Sequence, residues 1–405
     1  MASILYAWEF GSAFGHVGAF LPLGERLRAR GHDVRMALPQ IDSAAALLRK
    51  HGFEWLQSPT IPEQPRPGPP LSYADILLRF GYASVDTLLG LVVAWRELIK
   101  LTRSELVLPD HAPTAILAAR TLGIPILTFS YGFCVPPPVS PSPNMRSWIH
   151  IDPTHLEKSE RLALTAINEV LARFERPRLQ SVAELFGVDE PSLMTFPELD
   201  HYADQRGPTT YWGCLVSSVS SAPPPWPPCS GKRIFAYLRS DIRHAGAVLA
   251  AIVRSGQPSV VVFPDMPNEL RAHCAHPNIA LSSVPLDTVR VLAETDLAIT
   301  YGGHGLTAAF LLAGKPLLVL PGQLEQYMLA RRVENLGAGL LVDPEQPSGD
   351  LLSKIQRLTG DPGFAQNARA FASRYAGFSQ ETILSNLTRR IEELAAAPIY
   401  PGVHP

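Results

Sequence analysis

Short apolar runs alternate along the chain with longer stretches whose apolar positions recur at helical spacing. ILYAW (4–8) reads as a buried strand, and AFLPLGERLRARG after it as a helix near 18–30 ended by Gly31. DVRMALP gives a second strand, followed by a helix at about 42–51. LVLPD and PILTFS give two more, separated by the helical TAILAARTLG. The second half repeats the scheme. RIFAYL, a helix near 243–255, SVVVFP, IALSSV, LAITYG, a helix, LLVLPG, another helix and GLLV follow in turn, and an amphipathic helix near 378–397 comes last. Near-continuous apolar strands between helices predict an α/β protein with doubly wound parallel sheets.

Proline marks the breaks in this rhythm, because it keeps loops extended and out of helices. IPEQPRPGPP (61–70) and CVPPPVSPSP (134–143) interrupt the first half. VSSVSSAPPPWPPCSGK (216–232) carries neither pattern and reads as a linker. The predicted organisation is a Rossmann-like domain over 1–215, the linker 216–232, a second Rossmann-like domain over 233–377, and a C-terminal helix in 378–405 returning to the first domain. Two such domains imply a cleft between them. LSYADILLRF and VDTLLGLVVAWRELIKL either pack on the first sheet or also wall an apolar pocket.

Composition narrows the classes. A chain of 405 residues with 46% hydrophobic content can bury two cores. A net charge of −2 leaves no basic footprint for nucleic acid. Cys134, Cys214, Cys229 and Cys274 are widely spread, which fits a reducing compartment. No apolar run reaches the length of a membrane span, and no signal-like segment opens the chain. A cytoplasmic protein is expected, with peripheral contact to a membrane surface left open.

Two glycine-rich corners carry candidate chemistry. WEFGSAFGHVGAF places Gly11, Gly15, His16 and Gly18 at the first strand–helix turn. Its G-x-x-x-G-x-x-G spacing is not the dinucleotide fingerprint, and no Lys-Ser/Thr pair makes it a P-loop. A histidine there is either structural or aimed at a ligand. The second corner lies in AITYGGHGLTAAFLLAGKPLLVLPGQLEQ, where Gly302, Gly303 and Gly305 surround a helix start. Free N–H groups and the helix dipole make that start a ready phosphate site. Glu325 and Gln326 follow the next strand and suit sugar hydroxyls. His273, Cys274 and His276 in RAHCAHPN look faintly like metal ligands, but a solvated loop accounts for them better.

These motifs resemble the GT-B glycosyltransferases, specifically the nucleotide-sugar-dependent, UDP-glycosyltransferase-like (GT1-type) family that glycosylates small molecules and lipids. GGHGLTAAFLLAGKPLLVLPGQLEQYMLARRVENLGAGLLV is similar to the family's donor signature, and GHVGAFLPLGERLRARGHDV to its N-terminal corner. The resemblance implies that His16 takes the proton from an acceptor hydroxyl and that Asp110 orients its ring. By residue type alone, Asp110 reads equally as a cap before the helix TAILAAR. Inverting transfer from a nucleoside-diphosphate sugar to a small, apolar acceptor is implied, with the sugar nucleotide as co-substrate and no cofactor or metal. Donor contacts would fall at Arg239, Ser240, Val284, Tyr301, Gly302, Gly303, His304, Gly305, Leu306, Thr307, Glu325 and Gln326.

The signature is also altered. Tyr301 stands where the family has histidine, Ala309 where it has the ribose glutamate, and Leu286 where a glutamine follows the proline under the base. Arg239-Ser240 replaces a Gly-Ser/Thr pair. Arg239 either pairs with a diphosphate or forms a local salt bridge, and His304 either reaches the phosphates or caps the helix. An altered donor fits these changes. The alternatives are a non-catalytic GT-B binding protein or another GT-B activity such as epimerisation.

Overall fold

A computed structural model describes residues 1–11, 15–216, 222–242, 245–345 and 350–397. The described chain divides into two compact units, one of residues 1–215 with 379–397, the other of 216–378.

The first unit opens with β1 (Ser3–Trp8), α1 (Gly15–Ala29), β2 (Asp33–Leu38), α2 (Ile41–Lys50) and β3 (Glu54–Gln57). Then come α3 (Tyr73–Arg79), α4 (Val85–Leu101), β4 (Leu106–Asp110), α5 (Pro113–Leu122) and α6 (Pro153–Arg173). The four strands lie parallel in the order β3-β2-β1-β4. Ile4, Leu5, Tyr6, Ala7 and Trp8 are all buried, as a central parallel strand requires.

PILTFS is not a full strand. It runs beside β4 through the hydrogen bonds Leu127 N to Val107 O (3.2 Å) and Phe129 N to Pro109 O (2.9 Å), and pairs only at isolated bridges. Further bridges join Leu127 to Glu190, Ser130 to Leu193 and Leu193 to Tyr211, so irregular chain extends the sheet beyond β4. Neither EWLQ nor these later segments stood out in the sequence.

α3 is buried along its whole length, and its start is locked by a reciprocal Ser72–Asp75 capping box. Asp75 also accepts from His155 Nε2 and from the Ser159 hydroxyl of α6, which pins α3 against α6. Glu160, on the same helix, accepts from the amides of Ser142 and Val182 and fixes the second proline-rich stretch.

The second unit contains β5 (Ile234–Tyr237), α7 (Ala245–Ser255), β6 (Ser259–Val262), α8 (Asn268–His273), β7 (Ile279–Ser282) and α9 (Thr288–Glu294). It continues with β8 (Leu297–Thr300), α10 (His304–Leu312), β9 (Leu317–Val319), α11 (Leu324–Asn335), β10 (Gly339–Leu341), α12 (Leu351–Gly360) and α13 (Pro362–Arg374). Its strand order, β10-β9-β8-β5-β6-β7, is that of a Rossmann-like sheet. A core of Ile234, Ala236, Leu249, Ile252, Val261 and Ile299 fills one side.

Residues 217–221 of the predicted linker lie outside the described residues. The rest of it packs on the second unit, where Trp226 Nε1 donates to Glu294 (2.8 Å) and Ala222 bridges Leu286. RAHCAHPN is a correction to the loop reading: its first part closes α8, and Cys274 is buried. Among the described residues, no group of three or more His, Cys, Asp or Glu side chains could hold a metal ion, and no helix is long and apolar enough to cross a membrane.

α14 (Gln380–Ala396) belongs to the first unit. Leu387 and Ile391 are fully buried there. Arg26–Glu381, Arg30–Glu392 and Arg390–Glu190 ion pairs border the seat. Surface pairs of this kind contribute at most about 1 kcal/mol each, whereas burying one leucine side chain contributes about 1.5–3 kcal/mol. The apolar face therefore holds the helix, and the ion pairs set its register.

Candidate active site

In open parallel α/β sheets, ligands bind at the carboxyl ends of strands where the strand order reverses. That point in the first unit lies between β1 and β4. Trp8 and Asp110 are register partners at the ends of these strands and so share one face. Asp110 is 3% exposed and sits in β4; the N-cap of α5 is Ala112, so the capping role for Asp110 is excluded.

His16, in the first turn of α1, meets both. Its Nδ1 lies 2.8 Å from Asp110 Oδ2. The same oxygen accepts from Tyr6 Oη at 2.8 Å, and Ser130 Oγ donates to Oδ1 at 3.2 Å. A carboxylate so surrounded by donors can accept only an N–H from the imidazole. The proton is therefore assigned to Nδ1, and the lone pair to Nε2.

Nε2 faces Tyr131 Oη at 3.3 Å. The imidazole also stacks on Trp8 (centroids 4.9 Å apart, 23° between planes) and on Tyr131 (5.5 Å, 30°). Gly11 has φ +110°, in the left-handed region, and a Cβ there would stand 3.8 Å from Nε2. Glycine turns the chain at this point and leaves the nitrogen approachable. Residues 12–14 of the motif lie outside the described residues.

His111, next to Asp110, turns away. Its ring contacts Phe10 and Phe133, and Nε2 is buried without a hydrogen-bond partner. Burial, aided by repulsion from His16, pushes its pKa down to about 3, so it stays neutral. Glu9 lies one residue past β1 and is 3% exposed. Its Oε2 accepts from Thr114 N at 2.8 Å, which caps α5 from another strand. Burial raises its pKa to about 8 against the pull of the Thr114 bonds, while Oε1 has no partner. Desolvation by the apolar core outweighs the donors at the helix start.

A second hub holds the loop that carries Tyr131. Arg206 is buried against Asp200 and donates to the carbonyls of Gly132 (3.2 Å) and Val135 (2.7 Å). Tyr211 Oη donates to Asp200 Oδ2 at 2.9 Å. Burial pushes the Asp200 carboxyl up, but the Arg206 hydrogen bond and charge override it and hold the pKa below its usual value. Trp8, Tyr131, Glu9 and the Asp200–Arg206 pair were not anticipated. Trp8 and Tyr131 could have been found from the ends of apolar runs, since Trp8 closes ILYAW and Tyr131 follows PILTFS.

The reversal point of the second unit lies between β5 and β8, followed by Leu238-Arg239-Ser240 and Tyr301-Gly302-Gly303. Gly302 has φ +88°, and a Cβ would clash with Val319 Cγ1 at 2.9 Å. Gly303 is the N-cap of α10 and brings no capping side chain, so His304 begins the helix, buried, rather than capping it. Gly305 and Leu306 complete the first turn. Thr307 is fully buried, and its Oγ1 lacks a partner.

Arg239 forms a local ion pair, Nε to Asp241 Oδ1 at 3.2 Å, with its guanidinium 6.0 Å from the centroid of the Tyr301 ring. Burial pushes the Tyr301 phenol up to about 12. Ser240 gives its amide and its hydroxyl to Asp265. Val284 is exposed, but its N–H and C=O both bond to Ser282 Oγ, so its backbone groups are engaged. Glu325 and Gln326 lie in the first turn of α11, with Gln326 Oε1 accepting from Gly322 N at 2.9 Å.

Residues 246–383 match the C-terminal domain of the erythromycin biosynthesis protein CIII-like family. The NDP-glycosyltransferase YjiC of Bacillus licheniformis is 34% identical over 101 residues, covering 25% of this chain and 23% of that protein, less than a quarter of its length. L-demethylnoviosyl transferase of Streptomyces niveus is 25% identical over 89% of this chain and 91% of its own. The spinosyn rhamnosyltransferase SpnG, solved with thymidine diphosphate, superposes with a TM-score of 0.66 at 19% identity, over 96% of this chain and 99% of that one. SpnG has also been solved with spinosyn aglycone. The fold is GT-B, with two parallel-sheet units, and the second of them is similar to the C-terminal domain of the erythromycin biosynthesis protein CIII-like family.

Proposed function

We propose that the protein is an inverting glycosyltransferase acting on a small, largely apolar acceptor. The observation that carries this reading is the His16–Asp110 pair at 2.8 Å, with Nε2 left as the basic nitrogen. An acceptor hydroxyl would take the place of Tyr131 Oη at Nε2. As its oxygen bonds to the anomeric carbon, its proton passes to Nε2 and the bond from that carbon to the β-phosphate oxygen breaks. The sugar inverts, and the nucleoside diphosphate leaves with the electron pair. Asp110 remains ionised and stabilises the imidazolium, as expected of a general-base pair.

On the donor side, the uncapped start of α10 and the hydroxyl of Thr307 are suited to the leaving diphosphate. No metal is needed where N–H groups and a helix dipole meet that charge. SpnG binds thymidine diphosphate and an aglycone, which supports a nucleotide-sugar donor and a natural-product-like acceptor here. The test is transfer by His16→Ala across a panel of nucleoside-diphosphate sugars and phenolic acceptors. The variant should lose transfer and keep nucleotide binding; undiminished turnover would remove His16 as the base.

One observation favours a second reading. Asp265 holds the Ser240 amide and hydroxyl, and Asp241 holds Arg239, so carboxylates engage both residues of the altered pair. A GT-B protein that no longer uses a donor would tolerate this. Calorimetric titration with nucleoside diphosphates separates the two, since only the non-catalytic reading expects no binding by any of them.

A further inference from the structure

His16 is in contact with more aromatic surface than orientation by a carboxylate requires. Trp8 is held in place by its own hydrogen bond, Nε1 to Phe10 O at 2.6 Å, and is almost completely buried. Tyr131 is carried on the loop that Arg206 anchors through Gly132 and Val135. Both rings lie within 30° of parallel to the imidazole, with centroids 4.9 and 5.5 Å away. A π face is electron-rich and attracts a cation lying over it, and the attraction grows in a dry site.

We propose that Trp8 and Tyr131 are positioning residues that set the basicity of His16, their ring faces stabilising the imidazolium that forms when the nitrogen takes a proton. This rests on His16 being the general base, but the ring effect can be measured without turnover. Among the described residues, other titratable or polar groups lie near the imidazole or reach it through a neighbour. Asp110, on β4, favours the charged form, and Tyr6 and Ser130 reach it only through that carboxylate. His111, just past β4, is kept neutral by burial. The first turn of α1 contains no acidic residue. The Tyr131 hydroxyl donates to Nε2 before protonation and can accept from Nε2–H afterwards, so it favours neither form strongly.

Ring faces and plain packing predict opposite signs. If the rings only exclude water, removing one hydrates the imidazole and raises its pKa. If their faces stabilise the cation, removing one lowers it. The experiment is an NMR titration of the full chain carrying labelled histidine, with the His16 signal assigned by its absence in His16→Ala. The variants are Trp8→Leu, Trp8→Phe, Tyr131→Leu and Tyr131→Phe, each checked for retention of the Nδ1–H signal that reports the Asp110 bond.

Trp8→Leu and Tyr131→Leu should each lower the His16 midpoint by roughly half to one and a half pH units. Trp8→Phe should lower it by less, and Tyr131→Phe should leave it in place. Should Trp8→Leu fail to fold, Trp8→Phe and Tyr131→Leu carry the test. Midpoints that rise or stay fixed in the leucine variants, with the Nδ1–H signal retained, overturn the proposal. Shifted midpoints in a protein that transfers no sugar would support the ring effect and count against the transferase reading instead.

Discussion

A methyl group on Gly132 would stand 2.0 Å from Oδ1 of Asp200. The two residues lie far apart in sequence, yet the carboxylate fills the space a side chain would need. Gly132→Ala must push the Asp200–Arg206 pair apart or move the loop that bears Tyr131. Overpacking of this kind costs about 1–3 kcal/mol, measurable as a lower urea midpoint. Arg206→Met should cost more, about 3–5 kcal/mol, because it leaves a buried carboxylate without its ion partner.

Asp110→Asn keeps the shape of the residue but removes the charge that orients His16 and stabilises its protonated form. The transfer rate should fall by about two to four orders of magnitude. Nucleotide affinity should not change, since Asp110 lies in the first unit and the proposed donor groups lie in the second. Initial rates and calorimetry on the same preparation check both halves.

Glu9 predicts a pH dependence of stability. Its pKa is about 8 in the folded chain against an ordinary 4.5. Between those values the native state keeps a proton that the unfolded chain has lost, so stability falls as pH rises from 4.5 to about 8. Glu9→Gln cannot ionise and should flatten that slope. Denaturation midpoints of the two proteins should converge in acid and separate toward pH 8.

Thr307→Val tests the donor corner. The hydroxyl lacks a protein partner, so the substitution costs the free protein little. A diphosphate oxygen that used it would lose one charge-assisted bond, and nucleoside diphosphate affinity should drop about tenfold or more. An unchanged calorimetric Kd would place the phosphates elsewhere.

The C-terminal helix offers a contrast between two kinds of contact. Leu387→Ala removes a fully buried side chain and should cost about 2–5 kcal/mol. Glu381→Gln breaks an exposed pair with Arg26 and should leave the denaturation midpoint unchanged.

Much of this arrangement was legible in the sequence because parallel strands buried on both faces read as apolar runs. ILYAW and LVLPD were such runs, and their shared ends bring His16 and Asp110 together. EWLQ was missed because it is a short edge strand with no buried stripe. PILTFS reads as a strand, yet beyond β4 its other neighbour is irregular chain, and both sides offer isolated bridges instead of a ladder. Glu9 and the Asp200–Arg206 pair gave no signal, since a lone acid after an apolar run looks like any loop residue until its tertiary partner is known. The aromatic contacts of His16 depend on χ angles and loop placement, which periodicity does not encode.

The seat of α14 also bears on how the chain is made. A ribosome delivers residues 1–215 well before the helix at 380–396 that packs against α1. Until then the nascent first unit lacks the helix that packs on α1, and the whole second unit is synthesised in the interval. A fragment cut at the boundary near residue 215 would therefore be an unfinished body prone to association, and expression of the first unit alone should require the distant helix to be supplied as a fused or added peptide.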